Sequence, residues 1–326
     1  MGRPTRFPSN KGAAAGASGE YAPCRRSNLQ VAPQFTEHGF EEETSGDDSI
    51  DNGPTGGLTW DGRVDRGRQQ ACIPLLSSHE MANHSEANVV AVALKASYSE
   101  DLKKLSASTE TKRLFETILE ALETWQENYK EFYPYSSKYD AWLAGNAELD
   151  DRELRGLKLF TDPNKGNCAR CHIAERGVKG TPPQFTDYGL VALGVPRNRA
   201  IPANADAAWY DLGMCGPERT DLSGRSEYCG RFMTPTLRNV ATRQAFFHNG
   251  VVHTLREAVA FYAKRDTNSN KFDDLPFKYR GNIEMDAPFG RLPDDPSALS
   301  EQDTDDIVAF LRTLTDGFHV AQQENL

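Results

Sequence analysis

Apolar residues recur at helical spacing in several stretches of the 326-residue chain. The spacing predicts helices over 86–105 and 110–132, because side chains three or four residues apart lie on one helix face. Pro134 is expected to end the second helix, since proline has no amide proton to donate. The apolar stripe predicted for this helix comprises Leu114, Ile118, Ala121, Leu122 and Trp125. These side chains are expected to be packing residues.

Two later helices carry start signals of the capping-box type, in which a short polar side chain and an acidic one satisfy the first backbone amides. Asp150 with Glu153 marks a helix over 151–160, and Thr254 with Glu257 marks another. The apolar residues are Leu154, Leu157 and Phe160 in the first helix, and Leu255, Ala258, Val259 and Tyr262 in the second. Tyr262 is therefore expected on the packed face of its helix.

A closing helix begins at Ser300 and extends to 314, before Gly317 stops it. Its apolar stripe is Ile307, Phe310, Leu311 and Leu314. Between the helices the chain is rich in glycine, proline and short polar residues, which predicts long loops. These stretches are 1–57, 172–235 and 284–296. The pattern as a whole predicts a mainly α protein with long loops, and residues 1–57 are either extended loop or disordered.

The composition excludes several classes of partner. The formal net charge is −10 at pH 7 and the isoelectric point is near 5.3, whereas nucleic acid or an anionic membrane would require a basic surface. No apolar run approaches the roughly 20 residues of a membrane-spanning helix. The length suggests two domains of ordinary size. A small cationic redox protein would suit this charge better as a partner.

Cys168, Cys171 and His172 form a Cys-x-x-Cys-His motif, which is the strongest chemical signal in the chain. Covalent attachment of haem c requires this spacing, because the two thiols add to the vinyl groups of one porphyrin and place the imidazole under the iron. The alternatives are half a zinc site and a redox dithiol. Zinc would need a second close Cys/His pair, and a thioredoxin-like dithiol would need a βαβ setting. Neither is apparent, so haem c is the prediction.

The haem motif also indicates a cellular compartment. Haem c is attached outside the cytoplasm in bacteria, which predicts a periplasmic protein, and a signal peptide is expected upstream because Met1 is followed by no apolar core. An oxidising compartment favours disulfides. Cys215 is expected to pair with Cys229, and Cys24 with Cys72, with buried free thiols as the alternative for both pairs.

Further blocks carry a family resemblance. They are Trp60-Asp-Gly-Arg, Gln69-Gln-Ala-Cys, Leu75-Leu, Glu80-Met, Pro235-Thr-Leu-Arg-Asn-Val and Phe246-Phe-His-Asn-Gly. Over most of residues 58–317 the chain resembles the bacterial di-haem cytochrome c peroxidase family, which includes the MauG-like enzymes. The resemblance implies two cytochrome c-like haem domains, in which Trp60 relays electrons between haems while Gln70 and Glu80 line the peroxide-binding face of the first haem. From the residues alone, Trp60 is a core or turn aromatic and Glu80 a solvated carboxylate.

The resemblance also implies the axial ligands of the haem bound at His172. Ordinary peroxidases of the family have a methionine fourteen residues after the histidine of the Phe-His block, and Tyr262 occupies that position here. A tyrosine at this position resembles the MauG-like branch, in which the corresponding tyrosine is the distal ligand. A phenolate ligand stabilises ferric iron. A core aromatic is the alternative. Arg238 is expected to pair with a haem propionate. A calcium site would rest on backbone carbonyls in the segment that starts at Arg243.

One motif of the family is missing from this sequence. The family has two Cys-x-x-Cys-His motifs and this chain has one. Either the gene product is longer and the complete enzyme is a di-haem peroxidase or MauG-like oxidase, or the protein is a mono-haem electron carrier. The first hypothesis is favoured, with hydrogen peroxide as substrate and a small cytochrome c, a cupredoxin or a protein side chain as electron donor. A haem-binding structural partner without turnover is a third, weaker hypothesis.

The expected domain organisation follows from the resemblance. Residues 1–57 would be a loop-rich remnant of an incomplete N-terminal domain, and residues 58–148 the peroxidatic-type part of that domain. Residues 149–326 would form the C-terminal cytochrome c domain with its haem c. A second haem is expected only in the full family architecture.

Overall fold

The computed structural model describes residues 34–36, 53–177, 180–267, 272–292 and 295–319. The α-helices of this part are α1 Gly67–Leu76, α2 Glu86–Ala93, α3 Ser99–Ser106, α4 Thr111–Gln126, α5 Tyr129–Phe132, α6 Lys138–Leu143, α7 Asp151–Thr161, α8 Leu255–Lys264 and α9 Glu301–Arg312. Strands β1 Leu190–Val191 and β2 Phe232–Met233 pair antiparallel. No helix in these ranges is long and apolar enough to cross a membrane. The mainly α class predicted from the sequence is confirmed.

Helices α1 to α4 pack around a small apolar core. The stretch predicted as one helix over 86–105 forms two, α2 and α3, and the predicted stripe on α4 is only partly right. Leu114 is 2% exposed, but Trp125 is 57% exposed and Glu123 is buried in the same half of the helix. Oε1 of Glu123 accepts a hydrogen bond from Nε of Arg66 at 3.3 Å. An ion pair with the residue before α1 therefore replaces the expected apolar contact.

The C-terminal core is built on the crossing of α7 and α9. Both helices begin with the predicted caps, since Asp150 accepts from the amides of the first turn of α7 and Ser300 does so for α9. At the crossing, a Cβ added to Gly156 would stand 1.9 Å from the carbonyl oxygen of Asp306. Only glycine permits this approach, so the sequence fixes how closely these helices pack.

Segments outside α7–α9 also join this core. Tyr139 of α6 is 3% exposed and its hydroxyl donates to the carbonyl of Ala174 at 3.1 Å. Further upstream, the amide of Met233 donates to the carbonyl of Trp60 at 2.7 Å. Tyr139 therefore joins the C-terminal core, and Trp60 is tied to β2. The division into 1–57, 58–148 and 149–326 stays a prediction.

The predicted disulfide between Cys215 and Cys229 is confirmed. It closes a loop that ends just before β2, and Cys229 is fully buried. Cys24 lies outside the described residues, so its pairing with Cys72 stays a prediction. A covalent link at this place stabilises the loop-rich stretch that approaches the haem motif.

Candidate functional site

A mostly apolar cavity of about 1480 Å³, counting its open mouth, lies between α8, α9, the β1–β2 ladder and the haem motif. Cys168, Cys171 and His172 line it, and so do Trp60 and Tyr262. The two cysteines flank a short 3-10 turn, Cys168–Arg170, and are not bonded to each other. Residues far apart in sequence thus converge on one space.

The motif thiols lie where the chain approaches itself closely. Gly166 precedes them, and a Cβ there would stand 2.7 Å from the Leu159 carbonyl oxygen and 3.2 Å from Sγ of Cys168. Burial raises the pKa of the Cys168 thiol to about 12, with a smaller contribution from Cys171. The thiol is therefore neutral at pH 7 in this apolar setting. Two cysteines that share no disulfide at the cavity wall are compatible with thioether formation.

The backbone holds the ring of His172, in part through Nδ1. Nδ1 of His172 lies 2.9 Å from the carbonyl oxygen of Phe185, to which it donates. Burial lowers the pKa of His172 to about 4, so the imidazole is neutral at pH 7, the form that binds a metal ion. A metal-binding histidine usually donates its other N–H to a carbonyl or carboxylate. Nε2 of His172 is thus prepared for iron.

Tyr262 reaches the same cavity from α8. Its ring stacks on Phe289 with centroids 5.6 Å apart, and its hydroxyl has no hydrogen-bond partner among the described residues. Burial raises the pKa of this phenol well above its usual range. The helix face predicted for Tyr262 is confirmed, and its role as an iron ligand stays a prediction.

Arg238 requires a correction. Its guanidinium forms a bidentate ion pair with Asp140, at 2.9 and 3.0 Å, and its Nε donates to the Pro183 carbonyl. It does not line the cavity, because these three bonds hold it in the core behind the haem motif. The propionate partner expected at Arg238 must therefore be sought elsewhere.

Arg243 is the cavity arginine that suits an anion. It lines the cavity, forms no ion pair with any described residue, and has only a 3.5 Å contact to the Thr236 carbonyl. Burial alone lowers the pKa of its guanidinium. Arg170, also at the wall, is already paired with Asp286 at 2.7 Å. A large apolar space with a half-buried cation that has no described counter-ion fits a haem, whose faces are apolar and whose propionates are anionic.

Of the three residues predicted as catalytic, only one lines this cavity. Trp60 lines the cavity, whereas Gln70 on α1 and Glu80 in the turn after it do not. Glu80 is exposed. The family resemblance places Gln70 and Glu80 at a first haem and Trp60 between that haem and the one bound at His172. The structure brings Trp60 to the haem motif and leaves Gln70 and Glu80 outside that space.

The structure also shows site residues that the sequence reasoning missed. Arg243 and His248 line the cavity, and Arg170 ties the motif to the loop that carries Phe289. His248 belongs to the Phe-His-Asn-Gly block, so its sequence signal was present but gave no role. For calcium, no described group of three His, Cys, Asp or Glu side chains could hold a metal ion. The carbonyl-based calcium site near Arg243 stays a prediction.

Comparison with known proteins supports the family. A family model described as di-haem cytochrome c peroxidase matches residues 8–148. The methylamine utilization protein MauG of Paracoccus denitrificans is 32% identical over 278 residues, which cover 80% of this chain and 68% of that protein. The chain belongs to the di-haem cytochrome c peroxidase family. Cytochrome c551 peroxidase of Nitrosomonas europaea also matches, with 28% identity over 258 residues, 78% of this chain and 60% of that protein.

Solved structures of di-haem peroxidases share the fold of this family member. The diheme peroxidase BthA of Burkholderia thailandensis superposes with a TM-score of 0.75 and 34% identity, covering 93% of this chain and 80% of that one. A MauG-like protein associated with microbial copper homeostasis has a TM-score of 0.57 over 80% of this chain at 24% identity, which supports the fold alone. Haem c is accordingly the cofactor class of the family. The chain spans about two thirds of the curated relatives' length, 68% and 60%.

Proposed function

We propose that this chain is a MauG-like c-type haem oxidoreductase of the periplasm. It would reduce hydrogen peroxide with electrons from a small cytochrome c or cupredoxin, or from an oxidisable side chain of a partner protein. The observation that carries the proposal is that Cys168, Cys171, His172 and Tyr262 line one apolar cavity.

Haem c supplies an iron centre that exchanges electrons. Cys168 and Cys171 would form the two thioether bonds. His172 would bind the iron through Nε2, because Nδ1 is engaged by the Phe185 carbonyl. Tyr262 would bind from the opposite side through its phenol oxygen, a hard donor that favours ferric iron. Arg243 would neutralise a propionate at the buried end of the cavity.

Trp60 would carry electrons away from this centre. It lies on the cavity wall, and the hydrogen bond from the Met233 amide to its carbonyl fixes its backbone against β2. An indole between two redox centres shortens each transfer step. Gln70 and Glu80 would act at a separate, peroxide-binding haem, where Gln70 donates a hydrogen bond and Glu80 moves a proton between the peroxide oxygens. That haem would need a second Cys-x-x-Cys-His motif, which these 326 residues do not contain.

A mono-haem electron carrier is the second candidate function. It is favoured by the single haem motif and by the exposure of Glu80, a carboxylate outside the described cavity. A carrier needs the ligands of one iron and a route for electrons, and both are available here. It does not need a group that transfers protons to peroxide.

Peroxide turnover distinguishes the two functions. The chain is produced in a host with haem c maturation, together with any coding sequence that lies in frame upstream of Met1. Turnover with a reduced donor is then compared between wild type, Glu80→Gln and the control Glu86→Gln. Turnover that falls at least tenfold only in Glu80→Gln supports the peroxidase, whereas donor oxidation without peroxide turnover supports the carrier. This chain by itself is expected to hold one haem and to show little turnover until a second haem is supplied. A chain that holds no haem contradicts both functions.

A further inference from the structure

His248 is buried on the cavity wall, and the proposed function gives it no role. Its side chain is 8% exposed and lines the cavity beside Phe232. The two rings stack with centroids 3.5 Å apart and planes within 5° of each other. This stack fixes the plane of the imidazole relative to β2. A rigid, buried, titratable ring at the edge of a redox site needs a physical explanation.

A carboxylate holds one nitrogen of this ring. Nε2 of His248 lies 3.1 Å from Oδ2 of Asp274, and the Asn249 side chain donates to the same oxygen at 2.7 Å. Since an ionised carboxylate only accepts, Nε2 carries a proton. Nδ1 has no hydrogen-bond partner among the described residues. Nδ1 is therefore the atom at which this site can gain a second proton, and Nε2 is not available as an iron ligand.

Two carboxylates lie near the His248 ring. Asp274 faces the ring from the turn after residue 271, and Asp211 faces it from the loop before the disulfide. Burial raises the pKa of Asp211, and the charge of His248 opposes that shift. Neither aspartate forms an ion pair with a described arginine or lysine. A third carboxylate, Asp61, is paired with Arg63 at 2.9 Å.

The positive charge at this site comes from an arginine in the segment that precedes His248. Arg243 lies on the same cavity wall, and no described carboxylate pairs with it. Phe232, on the remaining face of the imidazole, carries no charge. The local balance is thus two carboxylates, Asp211 and Asp274, against one arginine. An electron added to the cavity makes that balance more negative.

We propose that His248, held by Asp274, binds a proton whenever the haem in this cavity is reduced. One electron from a donor protein or chemical reductant converts ferric to ferrous iron, and Nδ1 of His248 takes one proton from solvent while Asp274 stays ionised. The added proton cancels the added charge in a low-dielectric space. The coupling is reciprocal, so a protonated His248 makes the haem easier to reduce. The inference rests on the proposed function, because it needs a haem in the cavity.

The test is the pH dependence of the haem midpoint potential in the full chain, measured by spectroelectrochemical titration between pH 5 and 9. Wild type is expected to lose potential as pH rises, by up to 59 mV per pH unit for one proton per electron. The slope should vanish in His248→Gln. In Asp274→Asn the sloping range should move to lower pH, since the imidazolium loses its carboxylate. The control is His253→Gln, an exposed histidine outside the cavity, which should keep the wild-type slope.

Each contradictory result has a distinct meaning. A wild-type slope that persists in His248→Gln would assign the proton to another group, such as a propionate, and overturn the inference. If His248→Gln fails to fold, an unshifted sloping range in Asp274→Asn overturns it instead. A haem-loaded wild type with a pH-independent potential refutes the inference alone. A wild type without covalent haem refutes the proposed function as well.

Discussion

Nδ1 of His172 donates to the carbonyl oxygen of Phe185 at 2.9 Å, which ties the proposed iron ligand to the centre of the C-terminal core. The Phe185 side chain is fully buried, and its ring lies 6.3 Å from those of Phe160 and Phe310. Those two residues belong to α7 and α9. The helix crossing therefore helps to orient the imidazole through the backbone carbonyl of Phe185.

Tyr262→Phe removes only the proposed ligand oxygen. We expect the covalent haem to be retained, the visible spectrum of the ferric protein to change, and the midpoint potential to rise, because a hard anionic donor that favours ferric iron is lost. Absorption spectra of both oxidation states check this. Tyr98→Phe, at a tyrosine that is 55% exposed, is the control and should leave the spectrum unchanged.

Two spectra would argue against tyrosine ligation. One is an unchanged ferric spectrum in Tyr262→Phe. The other is a sulfur-to-iron charge-transfer band in wild type, which would assign the ligand to a methionine. Met233 would be the first candidate, because it lines the same cavity, whereas Met214 is fully buried and does not line it.

Arg243→Met tests the propionate partner. Loss of a buried positive charge beside the haem stabilises ferric iron, so the midpoint potential should fall by about 60 mV, a tenfold change in the reduction equilibrium. Redox titration at constant pH measures the shift. Arg199→Met, at an arginine whose side chain is 72% exposed, should leave the potential within error of wild type. Equal shifts in both variants would refute the assignment.

The pair of Arg238 with Asp140 should stabilise the fold in a pH-dependent way. Burial by itself would raise the pKa of Asp140, but the hydrogen bonds and charge of Arg238 outweigh it and lower the pKa. A lowered carboxyl pKa contributes stability above the unfolded value of about 3.9, and that stability is lost as pH falls through the folded value. Asp140→Asn should therefore cost about 3 kcal/mol at pH 7, by leaving Arg238 buried and unpaired.

Urea unfolding as a function of pH measures this effect. The difference between wild type and Asp140→Asn should shrink as pH falls below about 3.9. Asp305→Asn, whose side chain is 40% exposed, is the matched control and should cost little at any pH. A difference that stays constant down to acid pH would show that the charge of Asp140 contributes nothing.

Gly156→Ala should disrupt the crossing of α7 and α9. The new Cβ would stand 1.9 Å from a backbone oxygen of Asp306, so the helices must separate, at a cost of about 3 kcal/mol. Thermal unfolding checks the loss. Gly224→Ala places its Cβ in open space and should change the melting temperature little. Equal stability of the two variants would contradict this packing.

Local signals were enough to predict much of this fold. The caps at Asp150, Thr254 and Ser300 involve side chains and amides within three residues, so sequence spacing reveals them directly. The helical spacing of apolar residues also predicted that Tyr262 lies on the packed face of its helix. The disulfide between Cys215 and Cys229 could also be predicted, because the chain offers few cysteine pairings.

Long-range contacts could not be predicted in this way. Arg238 and Asp140 are 98 residues apart, and no periodicity shows that they pair. The apolar period of α4 likewise could not show that Trp125 faces solvent while Glu123 meets Arg66. His248 and Asp274 come from separate loops, so their pairing appears only after folding. The cavity polar groups were therefore the least predictable part of the site.

The central claim is that one haem is covalently bound to Cys168 and Cys171. The most direct measurement is the intact mass of the denatured chain after expression with haem c maturation. We predict a mass increase of one haem in wild type, and none in the Cys168→Ala, Cys171→Ala double variant. An unmodified wild-type mass, or a mass increase of two haems, would contradict the claim.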